Sequence, residues 1–183
     1  MGDVARVEVV GLRVELPSNQ PVLVLREVEG RRRVLTIYIG GPEASAIHTA
    51  LEGTQPPRPL THDLSVMLIE ALAAKLDRVI VTEIRDQTYF AEIVLRTSAG
   101  EVGVSGRPSD AVALAVRAGA GIFASVDLLD EVGRELSEDE PESEEAEAEP
   151  KSSYNEQLSS IATITLVLPL LCNPLHHDRC ASL

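Results

Sequence analysis

The chain of 183 residues predicts an α+β fold, a mixed or antiparallel sheet built from hairpins with three to four helices, in a single compact domain over residues 1–133. Three observations predict it. Aliphatic and β-branched runs come in pairs around short turn sequences, as hairpin strands do. Single helix-like stretches interrupt them, without the regular strand–helix alternation of a parallel sheet. A hydrophobic content of 44% can fill one core at this length. With 3 Tyr, 2 Phe and no Trp, that core must be aliphatic.

Val4, Val7, Val9 and Val10, then Leu12, Val14 and Leu16, have strand-like spacing and stop at Pro17-Ser18-Asn19-Gln20-Pro21. Val22–Val28 and Val34–Ile39 flank Glu29-Gly30-Arg31, which predicts a hairpin whose tip carries Arg31-Arg32-Arg33. Gly40-Gly41 ends that pattern. Pro42 suits a first helical turn and Glu43 favours the helix dipole, so a helix follows from about Pro42 to Glu52. The run Gly53–Pro59 holds three prolines, which remove donors and force extended neighbours, and reads as an ordered loop.

Thr61 is a fair N-cap for a helix through Lys75, with Leu64, Leu68, Leu72 and Leu76 at i, i+4 spacing as its packing face. Val79–Ile84 and Tyr89–Leu95 form a second hairpin around Arg85-Asp86-Gln87-Thr88, with Glu101–Ser105 as a third strand. Pro108-Ser109-Asp110 opens an Ala/Val/Leu helix closed by Gly119. Ile122–Ala124 is a short strand and Val126–Val132 a short helix.

The formal net charge of −13 is unevenly spread. Residues 134–183 carry 3 Lys/Arg and 11 Asp/Glu, leaving 13 against 18 in the body. Apart from Arg26 and Arg31–Arg33 there is no basic excess, which argues against tight wrapping of a duplex. A small anion, or nucleic acid or a nucleotide bound at one local patch, fits better. Both cysteines, Cys172 and Cys180, lie near the C-terminal end, which suits a reducing cytoplasm. The chain starts without a charged segment followed by a long apolar run, so no signal peptide is expected, and Ile161–Cys172, interrupted by Pro169, is shorter than the ~20 residues that span a bilayer, so no membrane association is expected. Residues 134–150 read as a disordered acidic linker, since nine of the fifteen residues from Glu135 to Glu149 are acidic. Residues 151–183 lack caps and amphipathic period, and read as a disordered, non-native tail. Cys172, His176, His177 and Cys180 there are a fortuitous group rather than a zinc site, because no second ordered element frames them.

Chemistry concentrates in Arg58-Pro59-Leu60-Thr61-His62-Asp63 and Arg107-Pro108-Ser109-Asp110. Each puts an arginine and an acid at the start of a helix, where unpaired N–H groups and the dipole gather anions. Arg58 and Arg107 are candidate phosphate clamps through their planar forks, with Ser109 beside them as a substrate-binding or capping residue. His62 titrates near neutral pH and is the candidate proton carrier. Glu43, Asp63 and Asp110 complete the candidate catalytic set. As hard oxygen ligands they could orient water or hold a divalent cation such as magnesium, the metal identity being left open. Glu83 and Glu92 are secondary ligand candidates, and His48 reads as a surface residue. For each arginine, an ion pair that merely fixes its loop is the competing reading. The whole reading requires the segments around 58–63 and 107–110 to converge on one recess.

The ordered set Leu35-Thr36-Ile37-Tyr38-Ile39-Gly40, Glu43-Ala44, Pro57-Arg58-Pro59-Leu60-Thr61-His62-Asp63, Thr88-Tyr89-Phe90-Ala91 and Arg107-Pro108-Ser109-Asp110-Ala111 resembles the bifunctional nuclease family, small domains of bacteria and plants. The resemblance covers roughly residues 4–133. It implies a compact α+β domain, often self-associating, so that a homo-oligomer is expected, with nuclease action on DNA and RNA. No catalytic assignment transfers with it. The family's frequent Gly-Thr-Phe-Tyr run stands here as Gln87-Thr88-Tyr89-Phe90, its Ala ahead of the second arginine as Gly106, and its Pro-Ile-Tyr as Gly121-Ile122-Phe123.

The functional expectation is therefore phosphodiester hydrolysis of DNA or RNA. The alternatives are a non-catalytic regulatory module that binds a nucleotide or a partner's carboxylate at the same helix mouths, and an oligomer in which Arg–Asp pairs hold subunits together.

Overall fold

The computed structural model describes residues 2–135. The acidic run beyond Glu135 and the segment 151–183 lie outside the described residues. Seven strands and four helices follow in the order β1 (Val4–Glu15), β2 (Gln20–Glu27), β3 (Val34–Tyr38), α1 (Gly41–Leu51), α2 (Thr61–Ala71), β4 (Lys75–Arg85), β5 (Thr88–Thr97), β6 (Gly100–Gly106), α3 (Pro108–Ala118), β7 (Gly121–Ser125) and α4 (Val126–Val132). No helix among the described residues is long and apolar enough to cross a membrane.

The strands form one mixed sheet ordered β3-β2-β1-β7-β4-β5-β6. Every neighbouring pair is antiparallel except β4 with β7. Two hairpin groups, β1–β3 and β4–β6, are thus joined through β7, the last strand in the chain, which pairs Val7 with Ile122 on one side and Val79 with Ile122 on the other.

The core is aliphatic, as composition requires. Leu23, Leu25, Leu35, Ile47, Val79, Val81, Val112, Leu128 and Leu129 are fully buried, each contributing roughly 1.5–3 kcal/mol of apolar burial. Helix α3 sits at the centre of the helical layer. Its run Ala111–Ala115 is buried on every side, and three alanines there let the sheet and α1 approach closely. Gly119 closes it with φ 63°, a left-handed C-terminal residue that costs glycine nothing.

Helix α2 departs from expectation. It ends at Ala71 rather than Lys75, and Lys75 already opens β4. The stop is made by Ala73, which adopts φ 56° while Ala73 N–H donates to Glu70 O and Ala74 N–H to Ile69 O. These bonds satisfy the last carbonyls as a glycine terminus would, but without glycine the sequence gives no sign of it. Leu76 consequently joins the buried core from β4. The predicted leucine packing face of α2 is also overturned: Leu64, Met67, Leu68 and Leu72 are exposed, Leu72 to 81%, and no residue of α2 is buried.

The arginine-rich tip is more structural than its charge suggested. Arg33 is buried and donates through Nε to Glu27 Oε2 (3.0 Å), through Nη2 to Glu27 Oε1 (2.9 Å) and through Nη1 to Asp130 Oδ1 (2.6 Å). This ties the β2–β3 hairpin to α4. Arg134 continues the tie, exchanging backbone hydrogen bonds with Val34.

Candidate functional site

Helices α1 and α3 begin side by side, and both starts are open. Gly40 and Arg107 are the N-caps, each extended, and neither helix has a side-chain cap. Within α3 the first backbone bond is Ala111 N–H to Arg107 O. The N–H groups of Ser109 and Asp110 therefore precede the helix ladder, while Pro108 has none to offer.

These starts border a cavity of about 360 Å³ lined by Gln20, Ile37–Gly40, Glu43, Gln87–Tyr89 and Arg107–Ser109. Strand β3 supplies one wall and the β4–β5 turn another. Tyr89 Oη donates to Thr36 O at 3.4 Å and joins the two walls. That turn has φ 48° at Asp86 and 61° at Gln87, positive at both central residues as a tight hairpin requires, though its second position ordinarily holds glycine.

One guanidinium organises the mouth. Arg107 donates through Nη1 to Glu43 Oε1 (2.8 Å), through Nε to Asp110 Oδ2 (2.7 Å) and through Nη2 to Asp110 Oδ1 (3.1 Å). Asp110, then Glu43, raise the Arg107 guanidinium above its ordinary value. Asp110 Oδ1 is also 3.4 Å from His62 Nε2, so Glu43, Arg107, Asp110 and His62 form one polar chain from α1 across α3 to α2. The Glu43 carboxylate folds back over Gly40, where a Cβ would collide with it. Ser109 is only 6% exposed, yet its hydroxyl makes no hydrogen bond among the described residues and is not sealed from solvent. It borders the cavity.

The two segments singled out in the sequence do converge, through His62 and Asp110, but the cavity opens between α1 and α3 rather than between α2 and α3. Arg58 is exposed in the proline loop and does not line the cavity. Asp63 is turned elsewhere: its Oδ2 accepts from Leu60 N–H at 2.8 Å, and its Oδ1 accepts from half-buried Arg117. Burial works to raise the Asp63 carboxyl, but the Arg117 hydrogen bond and the Leu60 N–H outweigh it and hold the group below its ordinary value. Leu60, not Thr61, is the observed N-cap of α2, and Ser109 stands two residues inside α3 rather than at its cap.

The cation set Glu43–Asp63–Asp110 is accordingly not assembled. Asp63 faces Arg117, the other two face Arg107, and no group of three acidic, His or Cys side chains is placed to hold a metal among the described residues. The secondary candidate Glu83 pairs with Arg85, whose guanidinium lies 5.3 Å over the Phe90 ring. His48 pairs with Glu52 on the surface of α1 at 3.1 Å. Sequence reading did not single out Gln20, Tyr38, Gln87 and Tyr89 as site residues. The available signals were that Tyr38 and Tyr89 fall within the motifs of the family resemblance, and that a chain so poor in aromatics places two of its three tyrosines beside turns.

A family model described as the bifunctional nuclease domain matches residues 23–137, which include every residue of the polar chain. Two uncharacterized proteins from two strains of Mycobacterium tuberculosis are each 46% identical over 127 residues, covering 69% of this chain and 75% of the relative.

Proposed function

This chain belongs to the bifunctional nuclease domain family, and from that premise we propose that it hydrolyses phosphodiester bonds of DNA or RNA at the cavity between the starts of α1 and α3. The observation that carries this reading is the Glu43–Arg107–Asp110–His62 chain, whose Glu43 and Arg107 line the cavity together with Ser109. A phosphate seated there meets the Ser109 hydroxyl, the unpaired N–H groups of α3 and one guanidinium, three donor types that favour an anion.

Phosphate competes with Glu43 and Asp110 for Arg107. Once Arg107 turns to the substrate, the Glu43 carboxylate is free to take a proton from an attacking water as its oxygen bonds to phosphorus. The P–O ester bond breaks, and the leaving oxygen receives a proton from His62 by way of Asp110. Asp63 is a positioning residue that fixes the start of α2 through Arg117. The cysteine-free body suits the reducing cytoplasm as its setting, and the exposed leucines of α2 are the proposed contact between copies in a homo-oligomer.

The test is incubation of the purified protein with single-stranded and duplex DNA and RNA, with magnesium, calcium or chelator, beside His62→Ala and Arg107→Ala. Cleavage lost in both variants is the expected result. Equal cleavage by all three proteins would expose a contaminant and end the reading. The alternative, a non-catalytic module binding a nucleotide or a partner's carboxylate, is favoured by the pairing of Glu43 and Asp110 with Arg107, which occupies the carboxylates that hydrolysis would use. It predicts no cleavage but a raised melting temperature with nucleotide.

A further inference from the structure

The helix starts make up only part of the cavity lining. Gln20, Tyr38, Gln87, Thr88 and Tyr89 also line it, and the reaction proposed above uses none of them. Their chemistry is of one kind: two phenol rings with π faces, two carboxamides that each both donate and accept, and a hydroxyl.

Two observations set this lining apart from ordinary surface. Tyr38 is 53% exposed on strand β3 although the chain has few aromatics to bury. Gln87 holds φ 61° in the β4–β5 turn, a left-handed conformation that glycine adopts freely and glutamine does not. Retaining a side chain there costs stability and places a carboxamide on the cavity wall.

We propose that Tyr38, Tyr89, Gln20 and Gln87 form a nucleobase subsite, so that the cavity takes one unpaired nucleotide with its base on the tyrosine side and its phosphate at the starts of α1 and α3. The proposal rests on the reading of those helix starts as a phosphate site. Size agrees, since about 360 Å³ falls at the small end of the ~300–1,000 Å³ typical of ligand sites. Charge argues against a duplex. Among the described residues Arg107 is the one cation on the cavity wall, and it is already paired with Glu43 and Asp110, whereas a duplex is tracked by several cations. A paired base is stacked within its helix and out of reach of the rings, whereas a free nucleotide or an unpaired residue of a strand presents its face.

The experiment measures binding separately from cleavage. Adenosine monophosphate, ribose 5-phosphate and inorganic phosphate are titrated in chelator against the full chain, followed by calorimetry and by tyrosine emission. Adenosine monophosphate is expected to bind roughly tenfold more tightly than ribose 5-phosphate, as base stacking on an aromatic ring allows, and to quench emission. Tyr38→Ala should bring its affinity down to that of ribose 5-phosphate, while Tyr38→Phe keeps the preference. Gln87→Gly should raise the melting temperature and weaken nucleotide binding, a pairing of effects that loss of fold cannot produce.

An unpaired oligonucleotide is expected to compete with adenosine monophosphate and a blunt duplex is not. Equal affinity for all three small probes, no binding of any, or a base preference that survives Tyr38→Ala would overturn the subsite. Base-dependent binding without any cleavage would retain the subsite and remove the nuclease reading. Cleavage without base-dependent binding would do the reverse.

Discussion

Arg107 Nη1 stands 2.8 Å from Glu43 Oε1 across 64 positions of sequence, so a hydrogen bond links the open ends of α1 and α3, whose bodies pack in one core through Ile47 and Ala111–Ala115. The same guanidinium grips Asp110, and its partners are the groups that the proposed reaction needs.

Arg107→Ala is expected to lower cleavage by roughly 100-fold, the usual consequence of removing one preorganised donor from a developing charge. Stability should hardly change, because the side chain is 65% exposed and water replaces its partners. Paired rate and thermal-melt measurements check this. A large fall in melting temperature would make Arg107 structural.

Gly40→Ala should act on Glu43 alone. The new methyl meets the carboxylate that lies over Gly40 and pushes it off Arg107, lowering the rate between roughly 10- and 100-fold as misplaced catalytic groups do. Because both changes remove the same interaction, Gly40→Ala combined with Glu43→Ala should be no slower than Glu43→Ala. An additive double variant would sink the idea.

The buried Glu27–Arg33 pair makes a prediction about pH. Hydrogen bonding from Arg33 is the main cause that holds the Glu27 carboxyl below 4.5. A group whose native pKa is depressed stabilises the fold above its unfolded value and loses that contribution as pH falls. Stability should therefore decline below about pH 4.5, and Glu27→Gln should flatten the decline in acid-melt series. Arg33→Ala, which strands a buried carboxylate, should cost roughly 3 kcal/mol. Pairing it with Glu27→Leu should recover much of that loss.

Leu68→Glu with Leu72→Glu tests the exposed face of α2. Both side chains are more than half exposed, so monomer stability should shift by less than about 0.5 kcal/mol. Sedimentation should nonetheless show a lighter species than the parent chain. Unchanged mass for a parent that self-associates would place the contact elsewhere.

Most of the architecture was legible because local signals agreed: turn residues bracket β1 to β3, Pro42 and Pro108 open helices, and Gly119 closes α3. The misreading of α2 has a definite cause. Its terminus depends on Ala73 in a conformation that sequence assigns to glycine, and the leucine period that suggests a packed helix marks an outward face instead. At the site, the convergence of His62 with Asp110 was anticipated. The partnership of α1 with α3 was not, because it arises from where β3 and the β4–β5 turn stand in the sheet, which no local pattern encodes. Asp63 was misjudged for a related reason, since its partner Arg117 lies a helix away.

Strand β7 stands between β1 and β4, and this constrains how the polypeptide can be made. While a ribosome is still adding residues before Gly121, both hairpin groups exist with unsatisfied inner edges and nothing to join them. Each is then a template for intermolecular strand pairing. Translation must pass Ser125 before the halves can lock, so a message cut short anywhere upstream yields a product suited to clearance by proteases rather than a smaller working domain.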